Sequence, residues 1–179
     1  MSKLFGEIRQ IGMVVRDSQK AMQEWIKLGI GPWYVLSFQV DDFVYRGKSS
    51  EGPVLTLCFA HSGNIQLELI QQKNDIPSAY TEFLASGREG CQHVASWFAD
   101  HESFQAKRRE LLDRGFTLVH EGGFRASDGH FAYFETDEPG GLQFELSEAL
   151  MPQSAAILDR MLKETEEWDG VTDPIRQFN

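Results

Sequence analysis

The chain has 179 residues, 41% of them apolar and 25% charged, with a formal net charge of -10. That is enough apolar material for one core. The acidic balance argues against a nucleic-acid binder or a protein of anionic membrane surfaces, and no apolar run approaches the ~20 residues that span a bilayer.

Residues 1–9 carry charges and lack the apolar core of a signal peptide. A strand is expected over residues 8–15, with Ile11, Met13 and Val15 on one face. Asp17 and Ser18 can cap a helix bearing Ala21, Met22, Trp25, Ile26 and Ile30, which Gly29 and Gly31-Pro32 end. Residues 33–40 read as a second strand. Residues 54–60 and 65–70 form a hairpin through His61-Ser62-Gly63-Asn64. A linking helix follows Pro77, over residues 78–86.

The order then repeats. Residues 90–98 read as a strand, and Asp100 can cap a helix bearing Phe104, Leu111 and Leu112 that stops at Gly115. Three strands follow, over 116–124, 130–135 and 141–146, with a turn expected at Ser127-Asp128-Gly129-His130 beside the mouth of the sheet. Residues 154–166 make an amphipathic helix with Ile157, Leu158, Met161 and Leu162 on one side, and the polar tail, 168–179, is expected to be loosely held. The fold class is therefore α+β. One domain spans residues 1–149, built of two βαβββ modules (about 7–71 and 90–148) joined by a helix at about 77–87. A C-terminal helix and tail fill 150–179.

Cys58 and Cys91 both fall in apolar strand patterns and no CxxC occurs. Two buried free thiols, no thiolate zinc site and the cytosol are the expectation. His61, His101, His120 and His130 read as surface or supporting residues.

The two modules close on related strands, Ile65-Gln66-Leu67-Glu68-Leu69 and Leu142-Gln143-Phe144-Glu145-Leu146. Alternation puts the apolar residues of each on one face and its carboxylate on the other. The opening strands carry Gln10 and His93 at matching places. Packed about a pseudo-twofold, the repeat would gather Gln10, Glu68, His93 and Glu145 around one divalent metal ion. Three oxygen ligands and one nitrogen suit zinc, nickel, cobalt, manganese, iron(II) or magnesium, and the residues do not choose among them.

At Gln10-Ile11-Gly12-Met13-Val14-Val15-Arg16-Asp17, Gln66-Leu67-Glu68-Leu69, Gln92-His93-Val94 and Gln143-Phe144-Glu145-Leu146, the chain resembles the vicinal oxygen chelate superfamily. That group includes glyoxalase I, methylmalonyl-CoA epimerase, extradiol dioxygenases and bleomycin-resistance proteins. The resemblance covers about residues 7–148 and implies a cupped mixed sheet around a metal ion. The ligand set is similar to that of glutamine-containing glyoxalase I. Leu28-Gly29-Ile30-Gly31-Pro32-Trp33 looks more like the epimerases, and Glu51 falls where their second catalytic glutamate lies. The resemblance implies a metal-dependent isomerase or lyase that takes an α-proton from a small carbonyl or thioester substrate. Glu145 would be the base, Glu51 or Glu68 would serve the opposite face, and a homodimer is possible. Trp97, Phe38 or Phe134 would wall the apolar part of the substrate. A drug-sequestering protein of the bleomycin-resistance kind is the alternative. A dioxygenase ranks below it, because Gln10 stands where those enzymes need histidine.

Overall fold

A computed structural model describes residues 2–124, 129–135 and 141–178. Of the expected turn at Ser127-Asp128-Gly129-His130, Ser127 and Asp128 lie outside the described residues. In chain order the elements are β1 (Gln10–Val14), α1 (Ser18–Lys27), β2 (Trp33–Gln39), β3 (Asp41–Tyr45), β4 (Lys48–Ser49), β5 (Val54–Ser62), β6 (Ile65–Gln72) and α2 (Ala79–Ala85). The second half has β7 (Gly90–Trp97), α3 (His101–Asp113), β8 (Thr117–Phe124), β9 (Gly129–Glu135), β10 (Gln143–Ser147), α4 (Pro152–Glu167) and β11 (Ile175–Gln177).

The helices begin where short polar side chains can satisfy free backbone N–H groups. The Asp17 carboxylate accepts from the Lys20 N–H at 2.9 Å, and Asp100 accepts from the Ser103 N–H at 2.7 Å. Ser78 and Thr81 exchange side-chain and backbone bonds at the start of α2 in a reciprocal cap.

The strands join one mixed sheet in the order β11-β2-β5-β6-β1-β7-β10-β9-β8-β3-β4. β1 runs parallel to β6 and β10 parallel to β7, while β1 and β7 meet antiparallel at the centre. This is the pseudo-twofold arrangement expected from the repeat. One face of the first half packs Met13, Val15, Trp33, Cys58, Leu67 and Leu69 against Met22, Trp25 and Ile26 of α1. The same face of the second half packs Ala132, Phe134 and Leu146 against Phe104 and Leu111 of α3. The opposite, inner face gathers Val14, Leu57 and Ile70 from the first half and Val119, Phe131 and Tyr133 from the second. Tyr80 and Phe83 of α2 complete that cluster. The core thus lies on both faces of the sheet.

Four details differ from the sequence reading. A hairpin, β3–β4, is inserted between β2 and β5, and β3 pairs with β8 of the other half. Only Val40 separates β2 from β3, so the chain steps from near one edge of the sheet to near the other; Phe38 and Phe124 accordingly meet edge to face at 5.5 Å. The tail is not loose: β11 pairs in parallel with β2, and Arg176 Nη1 donates to Glu164 of α4 at 2.6 Å, the carboxylate that also accepts from the Tyr34 hydroxyl. Cys91 is exposed whereas Cys58 is buried. Phe134 belongs to the packing under α3 rather than to the inner face, because its alternation runs opposite to that of Tyr133. No described helix is long and apolar enough to cross a membrane.

Candidate metal centre

Glu68 of β6, His93 of β7 and Glu145 of β10 converge on the inner face, each offering a ligand atom within 4.8 Å of the others. His93 Nε2 lies 3.1 Å from Glu145 Oε2 and 3.4 Å from Glu68 Oε2. The three residues are 5%, 0% and 6% exposed in chain order. Strand register explains the convergence. Glu68 pairs with Gly12, and Gly12 pairs across the central seam with His93. Glu145 pairs with Ala95, two residues along β7 on the same face.

Gly12 is required there. A Cβ at that position would stand 1.7 Å from His93 Cε1, so the fully buried ring occupies the space a side chain would take.

A bulge orients the histidine. The register of β7 against β1 shifts so that Gly12 faces His93 and Met13 faces Cys91, leaving Gln92 as the extra residue. Such an insertion can turn neighbouring side chains to the same side, and Gln92 Oε1 indeed contacts His93 Nδ1 at 2.8 Å. Gln92 Nε2 meanwhile donates to Gln143 Oε1 at 2.7 Å. The amide oxygen can only accept, so Nδ1 carries the proton and Nε2 points at the two carboxylates as a free base or a second donor. A hydrogen bond of this kind is what fixes a metal-binding imidazole.

Gln10 lies on the same face, beside Gln66 in the parallel register. Its Nε2 donates to Gln66 Oε1 at 2.7 Å, and its own Oε1 is buried without a hydrogen-bond partner. Glu145 Oε2 is also buried without a hydrogen bond of good geometry, although His93 Nε2 is near it. Buried oxygens left unsatisfied are costly. Two of them on one face, beside an imidazole nitrogen turned toward two carboxylates, fit a cation. Of the four expected ligands the structure brings Glu68, His93 and Glu145 together, and Gln10 lies on the same face with its amide bonded to Gln66.

The electrostatics agree. Burial pulls the His93 pKa down, but the hydrogen bonds and charges of Glu145 and Glu68 outweigh it and raise it to about 9. Burial raises the Glu68 carboxyl, with the Glu145 charge adding to it and His93 opposing. The Tyr133 hydroxyl approaches His93 Nε2 at 3.3 Å and accepts from the Tyr80 hydroxyl at 3.2 Å. Burial, then the Glu145 charge, pushes both phenols well above their ordinary range, so they stay protonated.

Glu51 stands outside this group. It is exposed in the loop between β4 and β5, and its Oε1 accepts from Gln39 Nε2 at 3.0 Å. Sequence reasoning missed Gln92 and Tyr133. Gln92 adjoins His93 in sequence, but only the bulge brings its amide to the ring, and Tyr133 carried no signal. His61 and His120 are buried rather than at the surface. His101 and His130 are joined through Glu148, a residue the sequence reading had not singled out.

A family model described as the Glyoxalase/Bleomycin resistance protein/Dioxygenase superfamily matches residues 9–134, which spans the first half and most of the second. No curated protein matches the chain. Among solved structures, methylmalonyl-CoA epimerase from Mycobacterium tuberculosis is similar over 87% of this chain and 96% of its own, with a TM-score of 0.56 and 21% identity. A hypothetical protein from Bacillus halodurans is similar over 79% and 92%, with a TM-score of 0.54 and 15% identity. A Streptomyces coelicolor methylmalonyl-CoA epimerase in complex with 2-nitronate-propionyl-CoA is similar over 78% and 92%, with a TM-score of 0.51 and 20% identity. At these identities the likeness concerns the fold. With the paired-module sheet, the inner carboxylate–histidine cluster and the match over residues 9–134, this chain belongs to the glyoxalase/bleomycin resistance/dioxygenase superfamily.

Proposed function

We infer that the protein is a divalent-metal-dependent isomerase or lyase of the glyoxalase or epimerase type, acting on a small carbonyl or thioester substrate. The observation that carries this reading is the convergence of Glu68, His93 and Glu145 within 4.8 Å, on the face where Gln10 Oε1 and Glu145 Oε2 are buried without hydrogen bonds. Gln10, Glu68, His93 and Glu145 would hold the ion. Bound there, a divalent cation supplies Lewis-acid polarisation of a substrate carbonyl oxygen, which acidifies the neighbouring C–H.

The chain's own residues supply the proton chemistry. Glu145 is the candidate base for the α-proton, using whichever carboxylate oxygen a loose bond to the ion leaves free, and general-base transfer of this kind contributes roughly 10²–10⁴-fold. Gln92 holds the His93 ring with Nδ1 protonated, so Nε2 is the nitrogen it would offer the ion. Returning the proton to the adjacent carbon gives a glyoxalase-type isomerisation. Epimerisation needs a donor on the opposite face, for which Glu68 or the loop residue Glu51 is the candidate. The enclosing aromatic residues Tyr80, Tyr133 and Phe131 exclude bulk water from the inner face.

The test is α-deuterium exchange in D₂O, with methylmalonyl-CoA and separately with the methylglyoxal–glutathione hemithioacetal, on metal-loaded protein. Exchange with either, lost in Glu145→Gln, is the expected result. Retention of full exchange in Glu145→Gln removes it as the base, and retention in Glu51→Gln removes Glu51 from the reaction. Unchanged metal content in both Glu68→Gln and Glu145→Gln would overturn the ligand assignment. Metal-free protein that gains thermal stability from a cationic drug would favour sequestration instead.

A further inference from the structure

The sheet carries a second ligand cluster on its other face. Glu148 follows β10 immediately, and its side chain is wholly buried. One carboxylate oxygen contacts His101 Nδ1 at 2.8 Å, and the other contacts His130 Nδ1 at 2.8 Å. The second oxygen also accepts the His130 backbone N–H at 2.8 Å, and the Glu148 N–H donates back to the His130 carbonyl at 2.9 Å. The two imidazole rings lie 5.2 Å apart, and one ligand atom from each of the three residues falls within 4.8 Å of the others.

This cluster is distinct from the inner one. His130 shares its alternation in β9 with Ala132 and Phe134, which pack beneath α3, whereas Tyr133 points to the inner face beside His93. His101 is the first residue of α3, and its ring lies 6.3 Å from that of Phe104 in the same helix.

We propose that His101, His130 and Glu148 form a second divalent-cation site, of the zinc class, on the outer face of the second half. Two imidazoles and one carboxylate are a donor set that borderline cations favour, with a fourth position left for water or an exogenous ligand. Metal–ligand bonds of about 2.0–2.1 Å in a tetrahedron put neighbouring ligand atoms about 3.3 Å apart, so each Nδ1, now 2.8 Å from its own carboxylate oxygen, must give up that hydrogen bond and the two rings must turn toward one common point. The imidazoles can do this: the His101 and His130 side chains are 56% and 41% exposed, while the backbone clasp fixes the buried Glu148. Binding replaces the Nδ1 protons, the imidazoles turning to their other tautomer or releasing a proton to solvent. His130 also helps wall a cavity of about 100 Å³ with Gln105, Asp42 and Glu121, which leaves room beside the ring for a small ligand.

The site is tested on chelator-stripped full-length protein by equilibrium dialysis against Zn²⁺, with metal counted per chain. The expected result is two ions in the wild type, one in His101→Ala and in His130→Ala, and one in Glu145→Gln. Both histidine substitutions are at partly exposed positions, and thermal melts check that the fold is kept. Co²⁺ titration of the wild type adds a readout that needs no variant: two resolved saturating phases in the visible spectrum are expected. A wild-type count that both histidine variants leave unchanged overturns the proposal. If the wild type takes a single ion, loss in His101→Ala with retention in Glu145→Gln supports this site and overturns the inner one. The reverse pattern overturns this site alone.

Discussion

In the first half, Gln10 sits beside Gln66 in the parallel register of β1 and β6; in the second half, His93 sits beside Gln143 in the register of β7 and β10. Each half bonds its opening strand to its closing strand through a glutamine amide pair at 2.7 Å, Gln10 to Gln66 and Gln92 to Gln143. The first half does so with Gln10 itself, whose place in its module matches that of His93. The second half uses the extra residue of a bulge, Gln92, which also holds the neighbouring imidazole at Nδ1. Across the seam, the first half provides the empty space of Gly12 that the second half's His93 fills. A duplicated fold therefore needs only like strands, but the centre depends on the differences between them: one extra residue on one side and one missing side chain on the other.

Gly12→Ala attacks that difference most directly. The new Cβ collides with a buried ring that has no room to retreat, and overpacking of this kind costs about 1–3 kcal/mol. Lower thermal stability and loss of the inner metal equivalent are expected together, measured by calorimetry and metal counting. Near wild-type stability with full metal binding would show that the two halves do not interlock at this point. Gln92→Ala removes the second half's bulge contact while leaving every proposed ligand in place. Loss of a hydrogen bond to a ligand histidine typically weakens metal affinity by about 10–100-fold, which competition with a chelator would detect. An unchanged affinity would mean that the His93 tautomer is set by other groups.

A smaller effect compares two buried histidines outside the metal cluster, one from each half. His61 Nδ1 and His120 Nε2 are both buried without a partner. Burial, assisted by Arg9, lowers the His61 pKa to about 4, and burial, assisted by the His93 charge, lowers His120 to about 3. The unfolded chain takes up these protons near the ordinary value of about 6.5, while the folded chain refuses them until near 4 and near 3. Stability is therefore complete above about pH 6.5 and falls as pH drops toward those values, by about 2.5 kcal/mol per histidine at pH 4.5. Urea denaturation of wild type and His61→Gln at pH 7 and pH 4.5 reads the first half's share as a reduced pH dependence in the variant. Identical pH dependence in the two proteins would remove His61 from the acid response.

Several elements were legible in the order of residues alone. The repeat of Gln66-Leu67-Glu68-Leu69 as Gln143-Phe144-Glu145-Leu146, the capping residues Asp17 and Asp100, and the alternation of Ile11, Met13 and Val15 are all local patterns, and local patterns suffice to assign helices, strands and faces. They were also enough to bring Glu68, His93 and Glu145 to one site, because symmetry converts equal sequence positions into nearby places. Sequence periodicity could not show which residue a bulge would insert, that His93 would lie over Gly12, that β3 would leave its own half to pair with β8, or that Glu148 would join two histidines beneath α3. Each of these depends on contacts between residues far apart in the chain, where register and packing, rather than propensity, decide which side chains meet.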